Sequence, residues 1–523
     1  MEDIRQIENL QILLSHKKNY QKPRGIKEIL KNNIGESIFC WMSVLSYRHD
    51  EEMKFRIWSL NNLYSSRDKV NEASVAAIYS RRTLWRLWKA ILEGAQVRNL
   101  KTIPDYTALG VLHEACAAIN DLNDTDADEA TQYLAKLSIA SYRDNVLMKL
   151  CRAQATFLQG DELKKYIAKF EAMIGVKIDF YVHFLFSLIE RFHHSRSNNI
   201  DPREGWGVDL QLESKRLNVP VPTLIKLMAA ISFSVEEGVA FSRQSASNTN
   251  DFSLFRDKPF LRLSDEIYLP IEGRLVEELI FENLFHKVDL ANNKDPEFKK
   301  AFGGAFEKYI QNISKLFCSL STKTKYNYIE EFSFGKPLHK SPDLFLKAKE
   351  CDAILVVECK SARYLDSVVS MSGNLDAVKK TLKKLVVDPI QQSMKSVSKI
   401  IEKKAHPDIS ADKTYCFVCV TMNDIPVLLE PVVFEKLGVG ASSDCYSFNI
   451  ETYELLLAGG IELEEVTLNE VLADAGGILG RGSIKTALAR KLAGREMHGE
   501  FYSKMRKRAH EAYLNWQKSI CLQ

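Results

Sequence analysis

Little in this sequence points to export, to a membrane or to a fold stapled by disulfides. Ten cysteines are spread over 523 residues, and Cys40, Cys116, Cys151 and Cys318 sit inside apolar segments. Thiols in such places act as small buried hydrophobes of a reducing compartment rather than as a disulfide framework. Apolar runs such as LFSLI and ILVV are far shorter than the roughly 18–20 residues of a membrane helix. The start, MEDIRQIENL, mixes acids and bases and lacks the basic, apolar and small-residue zones of a secretory leader. Charge of one sign is missing too: 71 Lys and Arg against 68 Asp and Glu leave +3 at neutral pH. Binding to a polyanion must therefore come from local clusters, not from the global balance. The expectation is a soluble cytoplasmic protein with no membrane contact.

Several familiar chemical signatures are also incomplete. GGILGRGSIK has glycines but not the Gly-Lys-Ser/Thr ending of a phosphate loop. NDLNDTDADEA has neither the glycine nor the closing glutamate of a calcium loop and reads as an acidic helix start. Cys416 and Cys419 form a C-x-x-C inside a strand-like run, where an odd offset sends the two thiols to opposite faces and excludes a shared zinc. His193 and His194 follow a helix with no patterned acid partner and are expected in a loop or on the surface. No Ser/His/Asp triad can be assembled.

What is present is ordinary globular composition, 46% apolar and 27% charged, at a length that implies two to four domains. The fold class expected is α+β and multidomain. Residues 1–250 read as a helical domain: in SRRTLWRLWKAILEG, Leu84, Leu87, Trp88 and Ile91 share one face, and KIDFYVHFLFSLIERF is similarly spaced. The small-polar stretch SASNTNDF marks a boundary. Residues 251–291 carry a hairpin, FLRLSDEIYLPIEGRL, and a connection. Residues 292–463 mix helix and strand, and residues 464–523 return to a basic helical segment.

The most informative stretch is SPDLFLKAKECDAILVVECKSARY. Its two apolar runs flank the polar turn Lys349-Glu350-Cys351-Asp352, so they predict an antiparallel hairpin whose paired residue numbers sum to 701. That register sets Asp343 opposite Glu358 on one face, with Lys360 two residues further on the same face and Cys359 on the other. Phe345, Ile354 and Val356 share the acids' face, while Leu344, Leu346, Leu355 and Val357 take the opposite one, so both sides look covered. Two opposed carboxylates in such a place repel and lose hydration, which a hard divalent cation such as magnesium would offset.

Pro342-Asp343 followed, after an apolar strand, by Glu358-Cys359-Lys360 resembles the PD-(D/E)XK nuclease superfamily, the restriction-endonuclease-like fold. The resemblance covers roughly residues 292–450. It implies a central mixed sheet flanked by helices and hydrolysis of phosphodiester bonds, with the bond to the 3′ oxygen broken and a 5′ phosphate left. Asp343, Glu358 and the Cys359 backbone carbonyl would hold magnesium, with manganese as the alternative ion, and Lys360 would orient the attacking water. Glu307, on the helical segment DPEFKKAFGGAFEKYIQNISKLF, matches the family's glutamate on the first core helix. Gln392 in PIQQSMKSVSKII is the better match to a glutamine near the scissile phosphate, Gln391 the fallback. Glu330 and Glu331 remain open as a further acid.

Lys379, Lys380, Lys383, Lys384, Lys395 and Lys399 surround the glutamine helix and form the expected phosphate-binding surface. The C-terminal segment adds Lys485, Arg490, Lys491, Arg495, Lys504, Arg506, Lys507 and Arg508. DNA is the substrate the resemblance implies first, in prokaryotic defence, with a second copy of the chain or a defence partner protein as companions. An RNA-cleaving enzyme, or a catalytically silent helical scaffold that binds nucleic acid, is the alternative.

Overall fold

The computed structural model describes residues 24–31, 33–47, 81–95, 105–121, 146–194, 206–248, 251–321, 326–361, 380, 383–422, 444–463, 466–477, 484–492 and 499–521. Lys379, Arg495, most of NDLNDTDADEA and most of GGILGRGSIK lie outside them. The chain is mixed α/β, with helices predominating. Among the described residues no single helix is long and apolar enough to cross a membrane.

The helical layer includes α1 (Glu36–Tyr47), α2 (Arg81–Gly94), α3 (Val146–Ala153) and α4 (Ile178–His194). α2 buries Leu84, Leu87, Trp88 and Ile91, the face that its spacing predicts. This layer also holds strands, which its helical periodicity did not announce: β1 (Val208–Asp209) and β2 (Ser232–Ser234). They are only two and three residues long, too short for an alternating pattern to register. They flank the expected hairpin, β3 (Phe260–Arg262) and β4 (Ile267–Pro270), in a sheet of order β1-β4-β3-β2.

The second sheet begins after α5 (Pro296–Leu320). Asp295 caps this helix by accepting from the Glu297 amide at 2.9 Å, and Pro296 occupies its first turn, where a missing N–H costs nothing. Phe298, Phe302, Phe306, Tyr309, Ile313 and Phe317 form its buried stripe. Strands β5 (Tyr326–Glu330), β6 (Ser333–Phe334), β7 (His339–Lys340), β8 (Leu344–Ala348) and β9 (Ala353–Lys360) follow. Then come α6 (Asp388–Glu402), β10 (Thr414–Thr421), β11 (Cys445–Asn449), α7 (Ile450–Glu462) and the C-terminal α8 (Glu500–Cys521). Sheet order is β11-β10-β9-β8-β5; β8 runs antiparallel to both neighbours, whereas β9, β10 and β11 are parallel. A parallel neighbour requires a crossover, and α6 supplies it between β9 and β10.

Helices cover both faces of this sheet. Phe345, Ile354, Val356 and Cys419 pack with Ile390, Val397 and Ile400 of α6. Leu344, Leu346, Leu355, Val357 and Cys416 face the other way, into the core that holds α5. Cys416 and Cys419 thus lie in different cores, as their odd spacing requires.

The expected boundaries do not coincide with breaks in packing. One continuous core runs from Ile29 to Trp516 through both sheets. A buried ion pair joins its parts: Arg152 of α3 donates to Glu454 of α7 through two nitrogens at 2.8 and 2.6 Å, and the Tyr309 hydroxyl of α5 donates to the same carboxylate at 2.7 Å. Arg81 clasps Glu272 in the same bidentate way, tying α2 to the turn after β4. The C-terminal segment joins this core as well: α8 buries Phe501, Tyr513 and Trp516, and Gln154 donates to the Ala509 carbonyl at 3.3 Å. His193 belongs to the last turn of α4, with Nε2 3.6 Å from Glu277, a buried acid 84 residues away that no local pattern reveals.

Candidate active site

The observed pairs Leu344–Val357, Phe345–Val356 and Leu346–Leu355 all sum to 701, the register read from the sequence. Asp343 stands one residue before β8, so continuing that register brings it to Glu358 at the far end of the hairpin. There its Oδ2 accepts from the Cys359 amide at 2.7 Å. Glu358 is buried, 6% exposed, on the face shared with Val356. Lys360 donates to its Oε1 at 2.8 Å. The Cys359 side chain points into the other core, packed beside Leu355 and Val357.

The position of this group follows from strand direction. Glu358, Cys359 and Lys360 end β9 and pair with Cys419, Val420 and Thr421 at the end of parallel β10. Ligand sites of open α/β sheets lie beyond such carboxyl ends. α5 passes the same place closely: a Cβ on Gly303 would stand 3.4 Å from Ser361 Oγ, just after Lys360. One turn later the helix presents Glu307, half-buried, whose Oε1 accepts from Gln311 at 2.9 Å.

Electrostatics show how tightly the acids are grouped. Burial, and then the neighbouring Glu358 charge, push the Asp343 carboxyl up to about 7, although the Cys359 amide opposes them and Glu307 adds to them. Glu307 is also raised, by burial, then by Glu331 and, further down, Glu358. For Lys360 burial favours the neutral amine, but the Glu358 charge and hydrogen bond overcome it, so the ammonium is retained.

The α6 helix meets this cluster through a residue that the sequence reading passed over. Gln392 is exposed and Gln391 half-buried on the outer side of α6, while Ser393 turns inward and donates to Glu358 Oε2 at 3.1 Å. Its signal was present: Ser393 falls on the buried stripe Pro389, Ile390, Val397 and Ile400, where a hydroxyl needs a partner. The two open candidates separate as well. Glu331 holds Lys340 at 3.0 Å beside Glu307, whereas Glu330 pairs with Lys315. Lys380, Lys383, Lys384, Lys395 and Lys399 are exposed, the last two on the solvent side of α6.

Comparison with known proteins returns nothing: no family model, curated protein or solved structure matches the chain. The site must stand on its own chemistry. Among the described residues no three His, Cys, Asp or Glu side chains converge closely enough to hold an ion unaided. Asp343 and Glu358 lie close enough to feel each other's charge, and carboxylate oxygens are the hard donor type that suits magnesium completed by water. The electrostatic strain on Asp343 is of the kind that a divalent cation relieves, so the residues fit such an ion.

Proposed function

We propose that this chain is a metal-dependent nuclease of the PD-(D/E)XK kind. The observation that carries the reading is the meeting of Asp343, Glu358 and Lys360 at one strand end, with the Asp343 carboxyl pushed up to about 7 by burial and its acidic neighbour. Carboxylates perturbed in this way cluster at functional sites.

In this reading Asp343, Glu358 and the Cys359 carbonyl would hold magnesium or manganese, an ion that would polarise the phosphodiester and acidify a water. The chain's own residues do the rest. Ser393 fixes the Glu358 carboxylate from the α6 side. Lys360, bonded to Glu358 in the resting site, places a positive charge where negative charge develops on the phosphoryl oxygens. Glu307 stands beside the cluster to orient water, its affinity for a proton raised by burial and by Glu331. DNA is the proposed substrate, in a cytoplasmic defence setting.

The test is cleavage of supercoiled plasmid, linear DNA and RNA with and without magnesium. Expected is magnesium-dependent cutting that Asp343→Ala and Lys360→Ala abolish. Cutting that survives both substitutions would sink the assignment. Tight nucleic-acid binding without cutting would favour the silent scaffold.

A further inference from the structure

Between β5 and Asp343 the chain makes a small two-stranded ribbon that nothing in the cleavage chemistry uses. β6 and β7 pair Ser333 with Lys340 and Phe334 with His339, leaving the four-residue tip Gly335-Lys336-Pro337-Leu338. Gly335 has φ +74, a conformation side-chain-bearing residues rarely adopt, so the tight tip depends on it. The base of the ribbon is pinned: Phe334 is buried, and Ser396 of α6 donates to the Lys340 carbonyl at 2.9 Å. The tip is not. All four of its residues are exposed, and Leu338, at 74%, is the most exposed large apolar side chain among the described residues.

The surroundings of the tip are positive. Lys403 reaches it from the end of α6, its Nζ 2.6 Å from where a Gly335 Cβ would stand. Desolvation, and then the charges of Lys399 and Lys403, lower the proton affinity of His339. Lys336 adds a further exposed ammonium at the tip itself. An exposed leucine among lysines matches a polyanion with an apolar interior edge.

Position and width narrow the polyanion. Leu338 precedes Asp343 by five positions, so the tip lies within roughly 18 Å of the acids even at full extension, about five base-pair steps. The major groove of B-form DNA admits a two-stranded β-ribbon, whereas the deep, narrow major groove of A-form RNA does not.

We propose that the β6–β7 ribbon enters the major groove of duplex DNA, with Lys336, Lys399 and Lys403 on the flanking phosphates and Leu338 against base edges. The proposal rests on the nuclease reading only for its substrate class, and it is tested without cleavage. Full-length protein in EDTA is titrated with a fluorescein-labelled DNA duplex, and with an RNA duplex of the same sequence, over a series of salt concentrations.

Replacing the three lysines with alanine is expected to lower the slope of log affinity against log salt by about 3. A double Lys165→Ala, Lys169→Ala control on another exposed helix should leave it unchanged. Leu338→Ala is expected to weaken DNA binding about tenfold at an unchanged slope, with Leu338→Met restoring it and RNA binding unaffected. Wild-type salt dependence in the triple variant, or no salt-dependent DNA binding by the wild type, overturns the proposal. An equal effect of Leu338→Ala on DNA and RNA overturns the groove assignment. None of these outcomes depends on whether the protein cuts, so failure of the ribbon and failure of the nuclease are separable.

Discussion

The replacement Asp343→Asn should make the metal-free protein more stable at pH 8, even though it removes a proposed ligand. In the folded chain burial and Glu358 push this carboxyl up to about 7, from an ordinary value of 3.8. Between those values the native state holds a proton that the unfolded chain has released, so stability falls as pH rises through the window and levels off above it. A displacement of about 3 pH units corresponds to roughly 4 kcal/mol, which is the ceiling on what the ionised carboxylate costs the fold at pH 8. Asparagine keeps an oxygen for the Cys359 amide but carries no charge. Chemical denaturation of both proteins in EDTA, from pH 5 to pH 8, isolates the effect, because the difference between them cancels the other titrating groups. The advantage of Asp343→Asn should already be about 1.5 kcal/mol at pH 5, grow through pH 7 and level off towards pH 8. Manganese should then reverse the order, stabilising the wild type and not the variant. A variant that is less stable than wild type at pH 8, or a difference that does not change with pH, would refute the electrostatic account of the site.

Further expectations follow from single contacts. Ser393→Ala removes a buried hydrogen bond to an ionised carboxylate, worth about 1.5–3 kcal/mol, and should slow cleavage about tenfold or more and weaken manganese binding measured calorimetrically, with Ser393→Thr recovering most of both. Arg152→Met leaves Glu454 buried without its cation and should destabilise the protein by about 3–5 kcal/mol in urea, while adding Glu454→Leu should recover part of that loss. Glu307→Gln should leave the stability measured in urea within about 1 kcal/mol of wild type, because the carboxyl is only half-buried, yet reduce cleavage most at the upper end of the active pH range, where the wild-type carboxyl is ionised and the amide is the poorer substitute. A normal rate there would remove Glu307 from the site.

Much of the candidate site is legible in one dimension because strand geometry is local. A short polar turn sets the register, the register pairs 343 with 358, and a period of two assigns Lys360 and Cys359 to their faces. The core helix is legible for a similar reason, since its cap, its proline and its aromatic stripe lie within 25 contiguous residues. Glutamine 392 illustrates the limit. Its residue type suggested a role, but which side of α6 meets β9 depends on packing between elements, and packing brought Ser393 to Glu358 instead.

The division of the chain shows the same contrast on a larger scale. Composition and periodicity separate a helical half, a mixed region and a basic end, and among the described residues the first of these is mainly helical apart from the two short strands that join the β3–β4 hairpin. That these parts share one core could not be read from them, because a cluster such as Arg152, Tyr309 and Glu454 draws on positions up to 302 residues apart. By itself the sequence determined the hairpin, its register and the three charged residues at its end, all of which depend on neighbours along the chain. Tertiary structure alone decided which helix face supports Glu358, how closely Glu307 and Gly303 approach, and that a ribbon set among lysines stands next to the acids, because each is set by contacts between segments that no local pattern relates.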